Sequence, residues 1–400
     1  QAGDLAITLT GTSALNDADV KFAITTVAGG LSTVTTGDGQ DQITSLHAGD
    51  IMTTGKGNDL ITLGEDAIQT GNIDMGAGTD TLQMKHANSG LNASATVAGV
   101  TNILIDEAKA AAIGSAHLNG FNAISAFGIS GTAGNTNESV TITLADGSPG
   151  SLTTSAITFS NGANMIVTGG DGVDTIALGA SDDYVDPQQA ADIVAPGLGN
   201  DTIDASEVAA VNAYIETASG GTDTLYFAAD TDFSTQTVGT ATDGTGAAVG
   251  PLVNFEQIAL IDDADLTVLG SQLTGTTLKI NTTADTNAQI VNVNGTANAD
   301  TVNLAGLAST AFTYIGSDGE SAQGVAFGAS ATDKVVHDYG NGADIITLST
   351  DTGFDDNIKL DTTDSASTGY DVITNFNVAN DLLDVSATTL HGDGHVDLTG

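Results

Sequence analysis

The stretch GGDGVDTIALGASDDYVDPQQAADIVAPGLGNDTI, residues 169–203, repeats itself every nine residues. Aspartates stand at 174, 183, 192 and 201. Each is followed two places later by a β-branched apolar residue: Ile176, Val185, Val194 and Ile203. A GGxGxD half is a turn, in which glycine supplies positive φ angles and lets backbone carbonyls approach an ion. The other half is a very short strand whose one apolar side chain points inward. Nine residues then make half a coil, and eighteen make a full coil with turns on opposite edges. On this geometry Asp174 stacks on Asp192, and Asp183 on Asp201.

An earlier block, residues 28–63, has the same phase. Its in-phase positions are Ser32, Asp41, Asp50 and Asp59, paired with Val34, Ile43, Met52 and Ile61. Asp41 stacks on Asp59. Asp50 faces either Ser32 or Ile68, so that edge is expected to be weak. GAGTDTL adds Asp80 and Leu82 after a 21-residue gap, where the register breaks. Isolated relatives carry Asp223, Asp300, Asp344 and Asp371, and the GDG turns add Asp38 and Asp171. Carboxylates and carbonyls form an oxygen-only cage that suits Ca²⁺. Mg²⁺ demands a more rigid octahedron, and Zn²⁺ favours His or Cys. Stacked carboxylates in a desolvated turn are strongly unfavourable without an ion, so the blocks are expected to need calcium to fold.

The composition agrees. The 400 residues carry a formal charge of −43, with seven Lys and no Arg. Of the 50 acids seven are Glu, which leaves 43 Asp, the acid that favours turns. Hydrophobic content is 40%, enough to bury a core if the carboxylates are compensated. Nucleic acid is excluded as a partner, since a phosphate backbone needs a basic surface. Direct membrane insertion is not expected: no apolar run approaches the length of a transmembrane helix. There is no Cys, so no disulfide or thiolate site. QAGDLAITLTGTS at the start has no basic or apolar signal region, and no cleavable signal peptide is expected.

These blocks resemble the RTX repeats of type I-secreted bacterial proteins, whose calcium-filled β-roll follows the pattern GGxGxDxUx. GGDGVDTIA, GLGNDTI, GDGQDQI, GKGNDLI and GAGTDTL carry the likeness. The turns LHAGDIM, GASDDYV and QQAADIV, at Asp50, Asp183 and Asp192, depart from it by losing glycines. GYDVITNFNVANDLLDVSATTL is similar to the closing segment of such rolls. The resemblance implies Ca²⁺ at the aspartates named above, export, and folding only outside the cell.

Residues 83–165 and 205–335 lack the nonapeptide. Runs such as SVTITLA, TLKINTT and IVNVN between Gly/Asn/Asp clusters suggest strands. Two segments share an order of parts: a GTDTL turn, a loop, a strand and turn, an Ala/Leu-rich bend, then another strand. This is an approximate duplication of solenoid units. ASEVAAVNAYIETA, with Val208, Val211 and Ile215 on one face, is the best helix candidate. The expected fold class is all-β, a parallel β-roll or β-solenoid with minor helix. Its expected segments are 1–82, a first roll; 83–165, solenoid; 166–204, a second roll; 205–335, solenoid; and 336–400, a closing roll.

No HExxH or GxSxG motif is present. HGDGH, with His391, Asp393 and His395, is a polar terminal loop rather than a helical metal pair. No pair of carboxylates stands out for glycoside hydrolysis, and there is no Trp to line a sugar cleft. Threonine runs do not share the nonapeptide register, and β-propensity accounts for them better than ice binding. Thr/Ala/Gly richness, acidity and the mixture of rolls and solenoid are similar to RTX-containing surface-layer proteins of Gram-negative bacteria. The expectation is a non-enzymatic, calcium-dependent protein of the cell surface that assembles with copies of itself into a layer. Cell-surface polysaccharide is a candidate partner through another region. The alternatives are an adhesin or biofilm-matrix fragment, or the non-catalytic part of a secreted polymer-degrading enzyme.

Overall fold

A computed structural model describes residues 22–206, apart from 27–29, 46, 65–67, 87–88, 107–109, 133–137, 145–149 and 189–191. It also describes 6–8, 214–215, 220–234, 237–238, 255–261, 264–273, 276–282, 290–294, 301–303, 334–338, 345–348, 355–359, 372–379, 381–384 and 397–399. The fold is a parallel β-solenoid. Strands of two to five residues pair in parallel with the strand one coil away. Such pairing needs a crossover, and here each crossover is the rest of a coil.

The first roll alternates between two sheets. One runs from Ala6–Thr8 through Thr33–Thr35 and Ile51–Thr53 to Val97–Ala98. The other runs from Ala23–Thr25 through Gln42–Ser45 and Leu60–Leu63 to Thr158–Ser160. At Ile68–Gln69 a third face opens. It grows into a ten-stranded sheet that reaches Lys279–Thr282 and passes through every segment limit between 82 and 205. The second roll pairs this long sheet with one that begins at Ser151–Thr153. A last two-sheet section alternates Lys334–Asp338, Ile345–Thr347, Asp355–Lys359 and Val372–Thr374. Two-sided rolls are thus joined by three-sided coils, and each three-sided region starts a new sheet before an old one ends.

The apolar residue two places after each in-phase position stacks on its counterpart one coil away. Ile43, Ile61, Leu82, Ile103 and Ile129 form one such column. Val167, Val185, Ile203, Leu225, Ile258 and Ile280 form another. All are buried in one continuous core. Ile61→Ala is expected to cost about 2–5 kcal/mol, because neighbouring coils fix the cavity walls. Ile51, on the outer side of its strand and 42% exposed, should tolerate alanine within about 0.5 kcal/mol. Urea midpoints of the two variants would test this; equal losses would contradict the inward column.

Two helices stand where the sequence suggested Ala/Leu-rich bends: Ser115–Asn122 and Gly270–Leu273. The first buries Leu118 and Phe121, and Phe121 stacks on Phe127 with ring centroids 4.4 Å apart. Its outer residue Asn119 caps the first strand of a new sheet. Thr153 N–H donates to Asn119 Oδ1, and Asn119 Nδ2 donates to Ser151 O, both at 2.7 Å. The second helix packs against Thr301–Asn303, the first strand of the last new sheet. The two long segments are therefore alike in three dimensions as well as in sequence. The helix expected over 205–218 is corrected: Tyr214–Ile215 is a strand in register with Ile193 and Val194, and 207–213 lie outside the described residues. Parallel pairing with the coil below outweighs a local helical pattern there. Among the described residues no helix is long and apolar enough to cross a membrane.

Candidate metal centre

Asp41, Asp50, Asp59, Asp80, Asp174, Asp183, Asp192, Asp201 and Asp223 are each no more than 2% exposed. Each immediately precedes a strand, and each carboxylate turns inward along the coil edge. One oxygen of each side chain is used in a ladder. On the first roll Phe22 N–H donates to Asp41 at 3.1 Å, Asp41 N–H to Asp59 at 2.9 Å, and Asp59 N–H to Asp80 at 2.9 Å. On the second, Met165 N–H donates to Asp183, Asp183 N–H to Asp201, and Asp201 N–H to Asp223, at 2.9, 2.9 and 2.8 Å. On the opposite edge Gly150 N–H and Asp174 N–H donate to Asp174 and Asp192 respectively, both at 2.6 Å. Each carboxylate thus satisfies a backbone N–H at the strand entry of the coil before it, a donor that would otherwise lack a partner.

The expected stacks, 41 with 59, 174 with 192 and 183 with 201, are all present. The register break before Asp80 is corrected. Asp80 continues the stack through a 21-residue coil, and Asp223 continues it through a 22-residue coil. The added residues build the third face and leave the turn edge aligned. Two further members carry no nonapeptide. Thr101 Oγ1 accepts from Asp80 N–H at 2.8 Å, and Glu256 Oε2 accepts from Asp223 N–H at 2.8 Å. The rule of an apolar residue two places on would have found both, since Ile103 and Ile258 follow them. Coils of 21 and 33 residues concealed the phase.

The second carboxylate oxygen separates these aspartates. Oδ2 of Asp41, Asp59, Asp80, Asp183, Asp192 and Asp201 is buried and accepts no hydrogen bond. Asp174 Oδ2 instead accepts from Gly170 N–H at 2.9 Å. Burial pushes Asp183 up to about 7, against the pull of the Ser181 hydroxyl and Met165 N–H. Burial, and then the Asp183 charge, push Asp201 up to about 8. Burial raises Asp192 and Asp223 to about 6, the latter helped by Glu256, and raises Asp80 as well.

The turns that lead into these residues stack backbone on backbone. Gly39 N–H donates to Lys56 O at 2.6 Å and Gly57 N–H to Ala77 O at 2.9 Å. Among the described residues the carbonyls of Gly39 and Gly57 accept no hydrogen bond. Gly57 has φ +136°, and a Cβ there would fall on the Gly39 carbonyl oxygen. Unpartnered carboxylate oxygens beside free glycine carbonyls are hard oxygen donors, and they fit Ca²⁺. Asp41, Asp59, Asp80, Asp183, Asp192 and Asp201 would hold it, with turn carbonyls. Among the described residues no three acidic or His side chains converge on one point, so carbonyls would have to complete any coordination.

The other expected ligands are placed differently. Asp38 is paired with Lys56, Nζ to Oδ2 at 2.8 Å, and that bond holds its carboxyl below the usual range. Asp171 is exposed in its turn. Asp300, Asp344 and Asp371 lie outside the described residues. The strands that follow them align Thr301, Ile345 and Val372 in register. His391 and His395 also lie outside the described residues. No family model, curated protein or solved structure matches the chain.

Proposed function

We propose that the chain is a calcium-dependent structural protein of the bacterial surface that assembles with copies of itself into a layer or similar extracellular lattice. The observation that carries the calcium part is the set of six buried carboxylate oxygens without partners, stacked along the coil edges. Among the described residues no lysine ammonium reaches any of these oxygens. Bound calcium would neutralise the stacked carboxylates and add its binding free energy to folding. The resemblance to RTX repeats supports Ca²⁺ as the ion, and implies export from a Gram-negative cell with folding outside. The role is mechanical rather than catalytic: coil stacking produces long continuous sheets, and acids left on the surface could take bridging Ca²⁺ between copies.

Far-ultraviolet circular dichroism in calcium and in EGTA tests the first part. Loss of most β signal in EGTA, restored by calcium, is expected; an unchanged spectrum would refute calcium dependence. Electron microscopy with added calcium tests the second. Ordered two-dimensional sheets are expected, whereas dispersed rods would favour an adhesin.

A further inference from the structure

Asp50 and Asp59 hold equivalent places in the nine-residue phase, yet their surroundings differ. Asp50 Oδ1 accepts from Ser32 N–H at 2.8 Å. Its Oδ2 accepts from Thr26 Oγ1 at 2.6 Å and from Ser45 Oγ at 2.9 Å, with the His47 carbonyl a more distant acceptor for Ser45 at 3.2 Å. Thr26, Ser32 and Ser45 are themselves buried. The carbonyls of His47, Ala48 and Asp50 are occupied too. Ala48 O accepts from Thr70 N–H at 2.6 Å and Gly71 N–H at 3.1 Å. Asp50 O accepts from Gln69 Nε2 at 2.8 Å, and His47 O from Asp50 N–H at 3.1 Å. At Asp59, by contrast, Oδ2 is buried without a donor, and the Gly57 carbonyl of the turn accepts no hydrogen bond among the described residues, while Gly55 O accepts from Ala77 N–H at 3.0 Å.

We infer that Asp50 holds its edge of the first roll without a cation, so that divalent cations there line one edge only, that of Asp41, Asp59 and Asp80. Two hydroxyls, of Thr26 and Ser45, take at Oδ2 the place an ion would fill, and they satisfy the oxygen that stays unpartnered at Asp59. The inference rests on the calcium reading above and deepens it. Calcium bound per chain, counted by equilibrium dialysis on the whole protein with Ca²⁺ alone as probe, separates the two. Wild type should bind several ions, Asp50→Asn the same number, and Asp59→Asn at least one fewer. An ion lost in Asp50→Asn would overturn the one-edge arrangement while leaving calcium dependence intact. Wild type binding none would overturn both. Ser45→Ala, a milder change, guards against misfolding of Asp50→Asn. It should lower Tm in calcium while leaving the number of bound ions unchanged, and an ion lost in Ser45→Ala would count against the inference.

Discussion

Without calcium, the protein should become more stable as pH falls from about 8 toward about 5. The cause is the stack on the second roll, where Asp183 and Asp201 are pushed up to about 7 and about 8. In the unfolded chain both return to the ordinary value of 3.8. Across the interval between those values the folded state binds more protons than the unfolded state. Stability therefore rises on acidification and is lost as pH rises through the folded values. Asp192 and Asp223, at about 6, extend the effect downward. In saturating calcium the sign should reverse, because carboxylates held ionised by a cation must be protonated as pH falls. In EGTA the β signal lost near pH 8 should return as pH falls toward about 5, and thermal melts in calcium should show the opposite slope. General relief of a −43 charge also favours acid, so Asp201→Asn is the control. It should flatten the calcium-free slope, and a slope unchanged by that substitution would place the effect elsewhere.

Gly57→Val should be among the most damaging single substitutions in the first roll. Its φ of +136° lies in a region that L residues rarely occupy, which alone costs about 1–3 kcal/mol. The new side chain would also meet the Gly39 carbonyl one coil below, so the stacked turns would have to separate. Separation breaks the Gly39 and Gly57 amide bonds across the coils, each worth about 1 kcal/mol. A loss above about 3 kcal/mol is expected, together with weaker calcium binding at Asp41 and Asp59. Gly120→Ala is the opposite case. Gly120 lies in the helix Ser115–Asn122 with no atom within 4 Å of an added Cβ. Alanine there should stabilise by about 0.5–1 kcal/mol. Denaturant titrations of both variants would decide, and a small effect at Gly57 would mean that the turns are not tightly stacked.

The two blocks were legible because their coils have equal length. With a constant nine-residue step, Ile176, Val185, Val194 and Ile203 announce two inward columns before any coordinate is known. The three-sided coils were harder to read. Their lengths vary, so Thr101 and Glu256 occupy ladder positions that the nine-residue step does not reach. The short helix Ser115–Asn122 buries only Leu118 and Phe121, too few residues to show a period. At Tyr214–Ile215 a helical spacing existed in the sequence, but the coil below offered an open strand edge and pairing with it prevailed.

The amino-acid sequence by itself determined the phase of the turns, the inward columns and the purely oxygen character of the site. Those follow from local chemistry: glycine for the turn, a β-branched residue for the strand, Asp for the edge. Only the tertiary structure decided which carboxylate oxygens have partners. Asp50 and Asp59 share the nine-residue phase, although the turn before Asp50 has lost a glycine. Coil stacking brings Thr26, 24 residues away, to Asp50, while no donor reaches Oδ2 of Asp59. A carboxylate's need for a cation depends on donors supplied by other coils, and that supply is set by stacking rather than by the repeat.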